Sequence, residues 1–444
     1  MLFRFLQYIN PGWYYHLRPR RAVAHFVQWE AMDETERKII AYDPLYSDAA
    51  VSRLDAAWQG WARGIITTDS ERRLHALPTP LPEDEYRFLR KYFHPVWSWY
   101  VLLLRIISGH HPIQEVRAFR KQRRVSRVPL SHPYYPHEDS WATFQSPLLA
   151  RRPLVSIVLP TLNRYHYLKD ILHDLEQQTY SHFEVIVVDQ SEPFRPEFYA
   201  DFKLNIRLIH QQEKALWKAR NTAVKAAAGE YIAFSEDDVR VKPDWLANHL
   251  RCLDFFGADI SCGPFFSLKG ELPPEKRFFR WAEQFATGNA CVKKKVFETV
   301  GLFDRQFEGQ RMGDGEFGLR AHLAGFKNIS NPYAACEDVK APEGGLRQMG
   351  AWDAFRPRKW TDPRPIPSTL YYMRRYFGRK AALYFILQGV PPSLLPYRFK
   401  RNRKILALGI PLVLLLLPFV LIQVIRSWRK AGRMIKAGPR IDQL

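Results

Sequence analysis

Three consecutive acids, Glu236, Asp237 and Asp238, follow directly on an apolar run in the segment YIAFSEDDV. Adjacent carboxylates repel one another unless solvent or a cation intervenes. Two readings fit such a triplet at a strand end. It supplies oxygen ligands for a hard divalent ion such as Mg²⁺ or Mn²⁺, which is commonly held by one or two carboxylates together with substrate phosphates, or it is a solvated acidic turn ahead of the next helix. Two further acids stand where chemistry is possible: Asp189 ends the run FEVIVVD, and Asp314 lies early in MGDGEFGLRAHLAGF. A carboxylate so placed can accept a proton from a substrate hydroxyl.

A repeating pattern positions these acids. Residues 154–160 (LVSIVLP) form a continuous apolar run, as expected of a strand buried on both faces. Residues 183–189, 206–210 and 231–234 read as further strands. Between them, Leu168, Ile171, Leu172 and Leu175, and then Leu216, Ala219, Ala223 and Ala227, recur at helical spacing. The alternation predicts an α/β fold, a mostly parallel sheet with helices on both faces. Ligands of such sheets bind beyond the carboxyl ends of the strands. Pro160, Thr161, Asp189 and the acidic triplet all fall there.

In order and spacing, VSIVLPTLNR, FEVIVVDQS, KARNTAVKAAAGEYIAFSEDD, TGNACVKKKVFETVGLFD and MGDGEFGLRAHLAGF resemble the motifs of the family 2 glycosyltransferases. The resemblance covers roughly residues 153–335 and implies a Rossmann-like GT-A fold and an inverting nucleotide-sugar transferase. It implies that Asp189 binds the nucleobase beside the Pro160-Thr161 backbone, and that Arg220 and Asp237 contact the donor. Glu236 and Asp238 become the metal-binding pair, with Glu236 standing where the family usually has Asp. Gly288 and Asn289 become part of the acceptor or sugar pocket. Asp314 matches the second acid of the family's Glu-Asp pair and becomes the general base, while Gly313 occupies the place of the Glu. Glu316 is the alternative base; its spacing also allows an ion pair with Arg320 one turn on. The Gln-x-x-Arg-Trp motif of processive members is absent after Asp314, and Arg280-Trp281 precedes it.

The flanks read differently. Residues 1–150 are expected to form a mostly helical accessory region, 151–340 the catalytic domain and 341–404 a basic, aromatic membrane-interface region. Residues 405–425 (ILALGIPLVLLLLPFVLIQVI) carry no charge. As a helix they span roughly 30 Å, the thickness of a bilayer core. Basic residues on both sides and Pro411 and Pro418 within leave a tilted span and a re-entrant hairpin both open, followed by a basic tail at 426–444. The net charge of +21, from 66 Lys and Arg against 45 Asp and Glu, implies an acidic partner. An anionic membrane surface, the nucleotide-sugar donor and a phosphorylated lipid-linked or glycan acceptor all satisfy it, and no nucleic-acid recognition motif is present. Four scattered cysteines without CxxC spacing exclude a disulfide scaffold and a structural zinc site. Together these features point to a membrane-associated protein whose catalytic domain faces the cytoplasm, at a bacterial inner membrane. The rival assignments are a nucleotidyltransferase, which would need a Gly-rich phosphate loop where PTLNRYHY stands, and a non-catalytic membrane scaffold.

Overall fold

The computed structural model describes residues 2–444 apart from 76, 131–134, 268–269, 343–344, 346–353, 358 and 395–402; the side chains of 403–410 and 412–414 also lie outside the description. In chain order the strands are β1 (Val155–Thr161), β2 (Phe183–Asp189), β3 (Ile206–His210), β4 (Tyr231–Ser235), β5 (Val239–Arg240), β6 (Ile260–Cys262), β7 (Phe265–Ser267), β8 (Arg280–Trp281), β9 (Asn289–Lys293), β10 (Asn328–Ser330) and β11 (Cys336–Asp338). Eight of them form one sheet in the order β3-β2-β1-β4-β9-β6-β10-β8, and β5, β11 and β7 form a second, small sheet.

The strands expected at 183–189 and 206–210 appear at those bounds, and every residue of β1 is buried. β1 is central because both faces are covered. Leu168, Ile171, Leu172 and Leu175 of helix Tyr165–Glu176 and Ala219, Ala223 and Val224 of helix Leu216–Ala226 are buried in the same core. The pairs β1–β2, β2–β3 and β1–β4 are parallel. The sheet is mixed beyond them, because β9 runs antiparallel to both β4 and β6. This reversal matters for the site: it sets Asn289, the first residue of β9, opposite Ser235, the last of β4.

The N-terminal region is helical, as expected, and its buried carboxylates are hydrogen-bonded. The carboxylate of Asp55, wholly buried, accepts from Tyr46, Tyr92, Gln59 and Lys91. Glu85 accepts the backbone N–H groups of Arg4 (2.6 Å) and Phe5 (2.9 Å), which fastens the first segment to helix Pro82–Tyr92. Burial pushes the Glu85 carboxyl up to about 7, against the backbone bonds that pull it down. A carboxyl whose folded pKa is raised favours the folded state below its unfolded pKa of 4.5, and this contribution is lost as pH rises through about 7. Glu85→Gln is therefore expected to flatten the fall in unfolding free energy between these pH values by on the order of 3 kcal/mol, measured by urea denaturation across that range.

The first segment also reaches the domain built on the large sheet. Trp13 donates its indole N–H to Glu283 (3.0 Å), and Tyr15 donates its hydroxyl to the Ala282 carbonyl (3.0 Å). Helix Pro95–Ile107 buries Ser98, Val101, Leu102 and Leu104 and leaves Val96, Trp99, Leu103 and Ile107 exposed on the opposite face.

At the C-terminus the re-entrant hairpin is not formed within 405–425: one helix, Arg403–Ala437, runs through both Pro411 and Pro418. A proline removes one amide donor and crowds the preceding turn, which bends a helix without ending it where neighbours hold the flank. Here Val420, Gln423, Ser427 and Ala431 are buried on one face, and Arg374 donates to the Trp428 carbonyl (2.7 Å). Residues 438–444 then lie along the domain built on the large sheet. Leu302 N–H donates to the Asp442 carbonyl (2.8 Å), Arg440 N–H to the Asp304 carboxylate (2.9 Å), and Lys225 pairs with Asp442 (2.8 Å). The opposite face of the long helix exposes Leu415, Phe419, Leu421, Ile422 and Ile425. Among the described residues no helix is long and apolar enough to cross a membrane. Arg398, Lys400 and Arg401, expected as its basic flank, lie outside the described residues.

Candidate active site

Because β1, β2 and β4 are parallel, their carboxyl ends share one edge, and the antiparallel β9 adds its amino end there. Thr161, Asp189, Glu236 and Gly288 therefore meet at one edge through register alone.

The acidic triplet divides by burial. Glu236 keeps 40% of its side chain exposed. Asp237 and Asp238 turn inward onto Arg164, whose guanidinium lies 2.9 Å from Asp237 and 3.1 Å from Asp238. Asp237 also accepts from the Thr161 hydroxyl (2.8 Å), and Asp238 Oδ2 from the Ala341 N–H (3.2 Å). Burial raises the Asp237 pKa, while Arg164 opposes the shift. Asp237, expected to contact the donor, is thus a tie between β1 and β4. Arg164 was not singled out in the sequence. Its only signal there is a lone arginine three residues beyond a strand that pairs with the acid-bearing strand.

Arg220 is wholly buried in the middle of the site. Its Nη2 lies 3.5 Å from both Glu236 Oε1 and the Thr287 carbonyl, and its Nε has no partner among the described residues. The charges that support it against burial are Glu236, Asp314 and Glu308. Trp217 lies under the guanidinium, 5.1 Å from ring centre to Cζ. The same indole explains Gly313. A Cβ at 313 would stand 2.4 Å from Trp217 Cζ2, so a glutamate there and Trp217 exclude each other.

Asp314 opens helix Gly313–Ala324, half-buried, and accepts the Gly315 N–H (2.8 Å). Tyr14 and Tyr372, from opposite ends of the chain, pack beside it. Burial first, then Tyr372 and Asp314, raise the Tyr14 pKa, so its hydroxyl stays protonated and donates to the Gly315 carbonyl. Glu316, the alternative base, is fully buried. It is held by Arg320 Nε at 3.0 Å to each oxygen and by the Tyr376 hydroxyl, with Arg320 in turn bonded to the Leu302 carbonyl. Its lone pairs are engaged in a structural ion pair.

Asp189 is fully buried at the end of β2. It accepts from Ser191 N–H (2.8 Å), Tyr165 (2.7 Å) and Tyr199 (2.8 Å). Burial and Asp189 push the Tyr165 hydroxyl up to about 12. Beside it, Gln190 Nε2 and Gln211 Oε1 are buried without partners among the described residues. Pro160 contributes backbone to the β1 ladder. Gly288 and Asn289 part company. A Cβ on Gly288 would lie 2.8 Å from Glu236 Cδ, so Gly288 borders the site. Asn289 points into the core, where its carbonyl accepts from Trp245 (2.8 Å) and contacts His249 (3.0 Å) and its amide donates to Ala334 (2.8 Å). Its side chain is committed to these core partners.

No group of three or more His, Cys, Asp or Glu side chains suited to a metal occurs among the described residues. Two carboxylates remain suited to an ion that also binds a diphosphate: partly exposed Glu236, and Asp238, of which Oδ2 carries the hydrogen bond and ion pair given above.

The family model Glycosyl transferase family 2 matches residues 156–304. The uncharacterized glycosyltransferase EpsJ of Bacillus subtilis (strain 168) is 41% identical over 90 residues, 19% of this chain and 26% of that protein. The UDP-Glc:alpha-D-GlcNAc-diphosphoundecaprenol beta-1,3-glucosyltransferase WfgD of Escherichia coli is 33% identical over 103 residues, 22% of this chain and 38% of that protein. The chain thus spans well under two thirds of either relative. The structure of S. aureus TarS 1-349 in complex with UDP-GlcNAc is similar at 18% identity and a TM-score of 0.42, over 62% of this chain and 81% of that one. Residues 156–304 hold β1, β2, β4, the acidic triplet, Arg220 and Gly288, and the chain therefore carries a family 2 glycosyltransferase domain.

Proposed function

We propose that this chain is a membrane-associated, inverting glycosyltransferase of GT-A type, which moves a sugar from a nucleotide-sugar donor to a lipid-linked or cell-surface glycan acceptor. The observation that carries the reading is the convergence of Arg220, Glu236 and Gly288 on one sheet edge, with Asp314 among the charges acting on Arg220. Arg220 has incomplete hydrogen bonding in a buried place, which suits it to oxyanions of a diphosphate. Asp314 accepts the proton of the acceptor hydroxyl as that oxygen bonds to the anomeric carbon. The bond from that carbon to the phosphate oxygen breaks, and the diphosphate leaves with the electron pair. Attack opposite the leaving group inverts the anomeric configuration. Asp189, with Gln190 and Gln211, faces the nucleobase, and Thr161 and Pro160 fix the β1 turn beside it.

Glu236 and Asp238 would hold Mn²⁺ or Mg²⁺ when a diphosphate completes the ligand set, and the ion would neutralise charge on the departing diphosphate. Calorimetry with UDP and GDP tests this. EDTA is expected to weaken diphosphate binding by about tenfold or more, and Asp238→Asn to reproduce the loss. Binding equally tight with EDTA would remove the ion from the account.

WfgD acts on a diphosphoundecaprenol-linked sugar, as its name states. A lipid-linked acceptor on the cytoplasmic side of a bacterial inner membrane fits the exposed apolar faces at Leu415, Phe419 and Ile422 and at Trp99 and Leu103, together with the basic excess. Leu415→Ser/Phe419→Ser/Ile422→Ser is expected to lower cosedimentation with anionic vesicles by at least about tenfold. Unchanged sedimentation would reject the long helix as the anchor. Deletion of 405–444 is a poor test, because residues 438–444 are bonded to the catalytic domain.

A further inference from the structure

A cavity of about 230 Å³ opens in the N-terminal region, between residues 17–26 and 73–77. It exceeds the roughly 150 Å³ that admits a benzene-sized guest. Its walls have two characters. Leu2, Leu17, Val23, Phe26, Leu74 and Leu77 make an apolar surface, and Arg18, Arg21 and Arg73 line the same space. No acidic residue lines it, and no ion pair joins these three arginines to a carboxylate among the described residues. Arg18 and Arg21 are exposed and Arg73 is half-buried. Buried His25 and Tyr15 also line the cavity.

Three like charges around one cavity give it a positive potential that attracts an anion. Guanidinium groups suit phosphate oxygens through paired N–H donors, and the apolar wall suits a hydrocarbon. We propose that this cavity is a binding site for a phosphate monoester or diphosphate joined to an apolar chain, separate from the sugar-transfer site. The cavity lies by the far end of helix Gly313–Ala324: Arg20 N–H bonds the Leu323 carbonyl (2.8 Å) and Arg21 packs on Gly325. Leu323 is nine residues from Asp314, about 14 Å along the helix axis. An amphiphile held here therefore leaves the catalytic edge open.

Calorimetry on the intact chain tests this with three probes below their aggregation limits: decyl phosphate, inorganic phosphate and decanol. Decyl phosphate is expected to bind saturably at one site. Arg18→Gln/Arg73→Gln is expected to weaken it by about tenfold or more, since charge-assisted hydrogen bonds to phosphate are the stronger class. Decanol is expected to bind at least about tenfold more weakly than decyl phosphate. An unchanged melting curve shows that the variant is folded. Inorganic phosphate binding as tightly as decyl phosphate would overturn the amphiphile in favour of free phosphate. Equal binding of decanol, or equal decyl phosphate binding by the folded variant, would overturn the anion site.

Discussion

Asp314→Asn is expected to lower sugar transfer by about 10²- to 10⁴-fold, the usual contribution of a positioned general base, with little change in donor binding. The amide keeps the size of the side chain and can still accept the Gly315 N–H that orients it, so the fold should be retained. On the proposed mechanism, what it loses is the ability to take a proton from the acceptor hydroxyl. The partition is specific: kcat falls and the dissociation constant of the nucleotide diphosphate stays within about twofold. Glu316→Gln should behave differently. Glu316 is held by Arg320 and Tyr376, so its loss is expected to lower the melting temperature. A variant of Glu316 that melts normally yet loses all transfer would exchange the two assignments.

Arg164→Met is expected to be the most destabilising single change near the site. It leaves Asp237 and Asp238, both buried, without their shared cation. Breaking a buried ion pair from one side costs about 3–5 kcal/mol. Burial already raises the Asp237 pKa against the pull of Arg164, and removing the arginine raises it further. A carboxyl with a raised folded pKa favours folding at low pH and loses that contribution as pH rises. The deficit of Arg164→Met should therefore be largest near neutrality and shrink in acid, as followed by urea midpoints. Adding Asp237→Asn should recover part of the loss. A deficit below about 1 kcal/mol at neutral pH would mean that the cluster is well solvated.

The acid-bearing ends of β2 and β4 were legible because a strand buried on both faces is a continuous apolar run, and each run stops where polar residues begin. The helix over 216–226 was legible from the spacing of Leu216, Ala219 and Ala223. What stayed hidden depends on contacts between distant residues. Arg164 meets Asp237 across 73 positions, and no local pattern encodes that pairing. The reversal of β9 is likewise invisible in NACVK, although it decides that Gly288 borders the site while Asn289 turns into the core. Gly313 departs from the family pattern in the sequence, and its reason, the Trp217 indole, appears only in three dimensions. The N-terminal residues could not be read as part of the site, because Tyr14 joins helix Gly313–Ala324 only through the tertiary fold. Pro411 and Pro418 suggested a break in the last helix, whereas the helix packed along Val420, Gln423 and Ser427 continues through both.

The most direct measurement of the central claim is release of nucleoside diphosphate from a panel of UDP-, GDP- and dTDP-sugars, by the intact protein with Mn²⁺ or Mg²⁺ and detergent-dispersed lipid-linked acceptors, in parallel with Asp314→Asn. The account predicts turnover with at least one donor, an inverted anomeric product, and loss of that turnover in Asp314→Asn with donor binding retained. Absence of turnover and of binding for every donor, or turnover unchanged by Asp314→Asn, would contradict it.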